Sequence, residues 1–164
     1  MSKINNNKTK NNTKKIYFKS WKDFCTKFEV SEGNGNRVIT LSNKKIQKYI
    51  VHSDTKKTIS SIDRTAEHAG IPLGEENKKG FKPSLWALDM AFETKKHKTM
   101  QLDKKSAWLF LCGRDIFASS LDEKPEKGFI FPVNEKEENL GIGYFDGKMI
   151  LNLLDKGDFL RREG

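Results

Sequence analysis

Four aromatic residues, Tyr17, Trp21, Phe24 and Phe28, fall at steps of four, three and four, which predicts a helix from about Lys14 to Glu29 with its apolar stripe turned to a core. After a Gly- and Asn-rich loop over Ser31 to Asn36, Arg37 to Leu41 alternates as a half-buried strand would. Ser42 is placed to cap a short helix bringing Ile46, Tyr49 and Ile50 to one face. Ile59, Ile62, Ala66 and Ala69 repeat at helical spacing, and Pro72 then argues against helix through Gly70 to Gly74, which is expected to form a turn. Phe81 to Leu85 reads as extended, Ala87 to Phe92 as a helix, and Lys95 to Lys98 as a basic linker.

The last third has a different texture. Trp108 to Leu111 is a continuous apolar run suited to a strand buried on both sides, Gly113 permits a tight turn, and Asp115 suits the first turn of a following helix. Three more strands are expected at Gly128 to Val133, Leu140 to Phe145 and Lys148 to Leu154, the last two joined by an Asp146-Gly147 hairpin turn. Met100 to Leu102 leads into this group, and Gly157 to Glu163 closes the chain. Short strands with glycine-rich turns favour a small barrel, because closure removes exposed sheet edges.

The order of these segments resembles the PUA domain of the nip-seven family of large-subunit ribosome biogenesis factors. Upstream, Gly70-Ile71-Pro72-Leu73-Gly74, Gly80-Phe81-Lys82 and Trp86-Ala87-Leu88-Asp89-Met90-Ala91 follow that family's succession of a Gly-rich turn, a Lys-Phe step and an Ala-Leu-Asp helix, so the resemblance runs from about residue 30 to 164. It implies an α+β chain with an N-terminal α/β pre-PUA domain over 14–98 and a C-terminal PUA β-barrel over 99–164, preceded by a basic tail over residues 1–13 that is read from composition alone. It also implies a non-catalytic RNA-binding adaptor in large-subunit assembly and pre-rRNA processing. Its partners would be pre-rRNA, assembly factors and, as in archaeal members, the RNA-degrading exosome. The RNA groove beside the first PUA helix and the last strand maps onto Gly113, Arg114, Lys148, Arg161 and Arg162. A planar guanidinium suits that work, since it grips phosphate bidentately or stacks on an unpaired base. Arg114 has a competing local role, pairing with Asp115 or Glu163. Because the chain is short like archaeal members, a cytoplasmic monomer is expected rather than a nucleolar protein.

The balance of charge changes where a polyanion is expected to bind. The net charge is +9, yet residues 1–100 hold 21 Lys/Arg against 10 Asp/Glu while residues 101–164 hold 10 against 12. Lys44, Lys45, Lys48, Lys78, Lys79 and Lys82 are therefore candidates for extending the RNA footprint, although each alone reads equally well as a solvated surface lysine. Only 5 of 31 basic residues are Arg, so part of the excess fits a compositional bias. Residues 1–13 are Asn- and Lys-rich and acid-free, which predicts a disordered segment that either touches phosphate non-specifically or is only a solvated terminus. With 35% hydrophobic residues and a mean hydropathy of -0.72, no stretch is apolar enough to span a bilayer. Cys25 and Cys112 both sit in apolar runs and are expected to be core thiols in a reducing cytoplasm.

No arrangement of residues points to catalysis, to a metal or to a cofactor. His52, His68 and His97 lack the spacing that places two ligands on one helical turn. Leu140-Gly141-Ile142-Gly143 is half of a dinucleotide fingerprint without its third glycine and helix. Asp89 invites comparison with the catalytic carboxylate of pseudouridine synthases, but reads better as an ordinary helix aspartate. The rival to an adaptor is an RNA-modifying enzyme, or a subunit of one, carrying a PUA domain; the length before the barrel leaves little room for a cofactor fold.

Overall fold

In a computed structural model that describes residues 18–42, 45–61 and 66–157, the chain is α+β. Helix α1, Trp21–Phe28, starts where the Ser20 hydroxyl accepts the Asp23 N–H at 3.1 Å, and it buries Trp21, Phe24 and Phe28 as the stripe predicts. Tyr17 lies outside the described residues. Strands β1, Asn36–Ser42, β2, Ile46–His52, β3, Ile71–Asn77, and β4, Gly80–Pro83, form an antiparallel meander in chain order. Helix α2, Ser53–Ser61, joins β2 to β3, and helix α3, Leu85–Glu93, follows β4 with Ser84 as its cap.

Four expectations for this half are corrected. Of the helix expected from Lys14 to Glu29, the described residues 18–20 are not helical, because Phe18 bridges Phe81 in antiparallel fashion and Ser20 caps the helix at Trp21. The helix expected after Ser42 is strand β2, a central strand whose Tyr49, Ile50 and Val51 are all buried. A consecutive buried run carries no two-residue alternation, so the i, i+3, i+4 pattern arose by coincidence. The turn expected at Gly70 to Gly74 is mostly strand β3; Pro72, which has no N–H to give a ladder, sits where the β2–β3 register shifts between Lys48 and Tyr49. The repeat of Ile59, Ile62, Ala66 and Ala69 does not form one helix, because α2 ends at Ser61 and the chain is non-helical from Ala66, while Ile62 lies outside the described residues.

In the second half, β5, Thr99–Gln101, helix α4, Lys104–Leu111, β6, Ile116–Phe117, β7, Gly128–Val133, β8, Gly141–Phe145, and β9, Met149–Asp155, build a five-stranded sheet of order β5-β7-β8-β9-β6. The expected strand at Trp108 to Leu111 is instead helix α4. Asp103 caps it, accepting the Ser106 N–H at 2.7 Å, and Gly113 ends it in a left-handed conformation with φ 79°. The Gly113 N–H donates to the Phe110 carbonyl and the Arg114 N–H to that of Leu109, the paired bonds of a Schellman stop. Asp115 does not begin a helix: strand β6 follows it, and the next helical residues are a single 3-10 turn over Ala118–Ser120. The Asp115 carboxylate accepts the Asn152 N–H at 2.7 Å, tying the loop to β9 just before edge strand β6. The Asp146-Gly147 turn forms as expected, with the Asp146 carboxylate accepting the Lys148 and Met149 N–H groups.

The two faces of this sheet serve different cores. Ile130, Phe145, Ile150 and Ile116 point inward against Phe110 and Ala107 of α4. Phe131 and Ile142 point the other way and join a cluster with Phe18, Phe24, Phe28, Leu73, Phe81 and Leu88 from the N-terminal half. The halves thus share an apolar seam that burial of large aromatic rings makes strong. Asp89 of α3 reinforces it, accepting from Lys156 at 2.7 Å and from Asn139 at 3.1 Å.

Candidate nucleic-acid interface

The caps of α4 decide what this end of the molecule offers. Ser106, Ala107 and Phe110 face the core, so Trp108, on the opposite side of the helix, is 67% exposed. The Schellman stop then sets Arg114 on the surface beyond the helix end. Among the described residues its guanidinium forms no ion pair; of its two expected partners, Asp115 accepts the Asn152 N–H and Glu163 lies outside the described residues. Two residues further on, Ile116 turns inward and Phe117 outward, the alternation of a strand, leaving Phe117 60% exposed on the sheet edge. Phe117 pairs with Met149, and the Ala118 N–H bonds the Lys148 carbonyl, so Lys148 adjoins the same edge with its side chain exposed.

Trp108 and Phe117 are thus exposed on opposite sides of this end of the molecule, Trp108 on the outer side of α4 and Phe117 on the outer face of the sheet, with Arg114 in the loop between them and Lys148 next to Phe117. Large exposed aromatic rings beside unpaired cations are suited to unstacked bases and the phosphates joining them. Gly113 contributes geometry rather than a contact, since its N–H is committed to the helix stop. Arg161 and Arg162 lie outside the described residues. The described chain ends at Gly157, where an added Cβ would come within 1.9 Å of the Leu111 carbonyl, so only glycine permits this approach to the end of α4.

The lysine candidates of the first half are placed elsewhere. Lys45 pairs with Glu75 and Lys48 with Glu76, each at 3.0 Å, across the β2–β3 ladder. Lys78 and Lys79 occupy the β3–β4 turn, Lys82 is half-buried on β4, and Lys44 lies outside the described residues, as does the tail over 1–13. A cleft of about 780 Å³ between α3 and the 137–139 loop is lined by Trp86, Asp89, Glu93, Glu137, Glu138 and Lys156; Lys156 is paired with Asp89, and the remaining carboxylates are unsuited to a polyanion. Cys112 is exposed at the end of α4 and so is not a core thiol, whereas burial, aided by the Glu32 carboxylate, pushes the Cys25 thiol up to about 11. Among the described residues no helix is long and apolar enough to cross a membrane.

Trp108 and Phe117 were not among the sequence candidates. Asp103 and Gly113 bracket the run as a helix start and stop, a signal that would have placed Trp108 opposite Phe110. Phe117 carried no comparable mark, because a two-residue strand is too short to show periodicity.

Residues 98–164 match the family described as the UPF0113 PUA domain, which spans this edge and the whole second sheet. A UPF0113 protein of Archaeoglobus fulgidus is 28% identical over 136 residues, covering 73% of this chain and 77% of that protein. Among solved structures, a conserved PUA domain protein from Thermoplasma acidophilum aligns over 87% of this chain and 90% of its own at 15% identity, with a TM-score of 0.48. A hypothetical protein from Pyrococcus horikoshii aligns over 68% and 63% at 21% identity, with a TM-score of 0.38.

Proposed function

We propose that the protein is a non-catalytic RNA-binding adaptor that anchors single-stranded or unpaired RNA on the α4–β6 edge. The PUA match over residues 98–164 supports RNA as the ligand class. The observation that carries the reading is exposed Phe117 on edge strand β6 next to exposed Lys148, with exposed Trp108 and an Arg114 that has no ion pair among the described residues at the end of α4 close by in the chain. Arg114 and Lys148 would take phosphates, and the two rings would stack bases with little sequence preference. The resemblance to the nip-seven family extends this to pre-rRNA processing in large-subunit assembly, carried out by a cytoplasmic monomer that holds assembly factors, or an exosome, through its other surfaces. The similarity to an archaeal relative fits that setting.

The test is a salt titration of single-stranded RNA binding. With about four phosphates neutralised, log K is expected to fall against log salt with a slope of roughly -3. Affinity independent of salt, or none at low salt, rules the reading out. Crosslinking in cells followed by sequencing of the bound RNA decides the ribosomal assignment: enrichment of large-subunit precursor RNA supports it, and enrichment of other RNA removes it.

A further inference from the structure

The strand register exposes a second surface next to this edge. Phe129 pairs with Tyr144, Tyr144 with Leu151, and Phe117 with Met149, while the residues between them, Ile130, Phe145, Ile150 and Ile116, all fill the inner core. Cross-strand partners share a face, so Phe129, Tyr144, Leu151, Met149 and Phe117 form one apolar band across β7, β8, β9 and β6 on the outer side. Three inter-strand steps make it about 14 Å wide. The N-terminal half covers one end of that face, through Phe131, Ile142 and one side of Phe129, whose ring packs on Phe18 and Phe28. Toward the hairpin it stays open: Tyr144 is 36% exposed, Phe117 60%, and Met149 and Leu151 are partly exposed.

Cations frame this band. At the seam, the Lys27 ammonium lies 4.7 Å from the centre of the Phe129 ring, which meets the Tyr144 ring in a T-shaped contact with centroids 5.5 Å apart. Along the hairpin, the Lys127 chain crosses Gly147 beside exposed Lys148, and Arg114 stands at the far edge. None of these four forms an ion pair with another described residue. The Asp146 carboxylate accepts the Lys148 and Met149 N–H groups of its own turn.

We propose that this outer face is a second stacking platform, over which a single RNA strand leaving the α4–β6 edge runs from Phe117 past Tyr144 to Lys27 of the N-terminal half. The inference rests on the RNA-binding reading above and names the strand's route. An open sheet face with aromatic rings on separate strands is a known physical solution for stacking unpaired bases. The framing cations match the phosphates that such a strand would carry past it, which favours RNA over an uncharged protein segment.

Labelled oligoadenylates of four and twelve nucleotides test the route by anisotropy. The short oligomer is held by the edge alone and the long one also reaches the face. Tyr144→Ala is expected to weaken the twelve-mer about tenfold, the order of one lost base stack, and to leave the four-mer unchanged. Tyr144→Phe, which keeps the ring, is expected to bind both as the parent does, and Lys27→Ala, at an exposed position, to weaken only the twelve-mer. Circular dichroism confirms folding, and Lys27→Ala gives the answer independently if Tyr144→Ala does not fold. If the parent binds both lengths and neither Tyr144→Ala nor Lys27→Ala affects the twelve-mer, the route is wrong while the edge assignment stands, and the band is left to a protein partner. If the parent binds neither length, both readings fall.

Discussion

The two halves of this molecule divide charge and accessibility in opposite ways. The first hundred residues hold an excess of 21 basic over 10 acidic side chains, yet Lys45, Lys48, Lys57 and Lys96 are each within ion-pair distance of a carboxylate. The remainder holds 10 basic against 12 acidic, yet among its described residues Arg114 and Lys148 form no ion pair and Trp108 and Phe117 expose their rings. Net charge governs long-range attraction of a polyanion, whereas a binding site needs cations free of partners and groups that gain by being covered. The basic half is therefore suited to drawing RNA in, and the nearly neutral half to holding it.

The largest effect tests whether these are separate bodies at all. Phe131 is fully buried, belongs by chain to the second sheet and by packing to the N-terminal core, with its ring 5.5 Å from that of Phe28. Phe131→Ala is expected to cost about 3–5 kcal/mol and to lower one common unfolding transition, seen alike by near- and far-ultraviolet circular dichroism in urea. Two separated transitions, with only one displaced, would show that the halves fold independently and that the contrast in charge belongs to two domains rather than to one body.

A smaller effect, on binding alone, separates attraction from contact. Trp108→Ala and Arg114→Ala remove exposed groups, so stability is expected to stay within about 0.5 kcal/mol. Each is expected to cost about 1–3 kcal/mol of RNA affinity, the order for a lost base stack or a direct guanidinium contact. Lys45→Ala with Lys48→Ala removes two charges from the more basic half, but two that are already paired, and is expected to cost only a few tenths. Equal losses in the two sets, measured by isothermal titration at one salt concentration, would mean that diffuse charge does the holding.

Legibility from sequence followed how each segment is buried. The α1 stripe and the strands β7, β8 and β9 were readable, because one-sided burial and turn residues such as Asp146-Gly147 leave regular marks. The segments buried along their length were not. Val51 beside Ile50 and Tyr49 in β2 erased alternation, and Trp108 to Leu111 read as a strand because a short apolar run fits either element. That second ambiguity hid the candidate site, since a strand would bury Trp108 where a helix exposes it. Arg114 and Lys148 were anticipated at the edge through the family resemblance, whereas the pairing of Lys45 and Lys48 depends on a β2–β3 register that no local pattern encodes.

The smallest effect lies at the seam and sharpens the question of one body or two. His97 packs its ring 4.3 Å from Phe131 and 5.0 Å from Phe92, with its Nδ1 buried and unpartnered. Burial among these rings holds its pKa below the usual histidine range, an interaction with the Ala91 backbone opposing this only in part. Below about pH 6.5 the unfolded chain therefore binds a proton that the folded chain refuses, so stability is full above that pH and falls as pH drops through it, levelling off once the folded histidine is itself protonated. His97→Phe keeps an aromatic ring against Phe131 and removes the titration. The difference in urea midpoint between parent and variant is expected to shift against the parent from pH 7.5 to pH 5.5, through the same single transition that Phe131→Ala displaces. A difference that does not change with pH would show that water reaches the seam, and that the two halves meet there more loosely than their shared aromatic cluster requires.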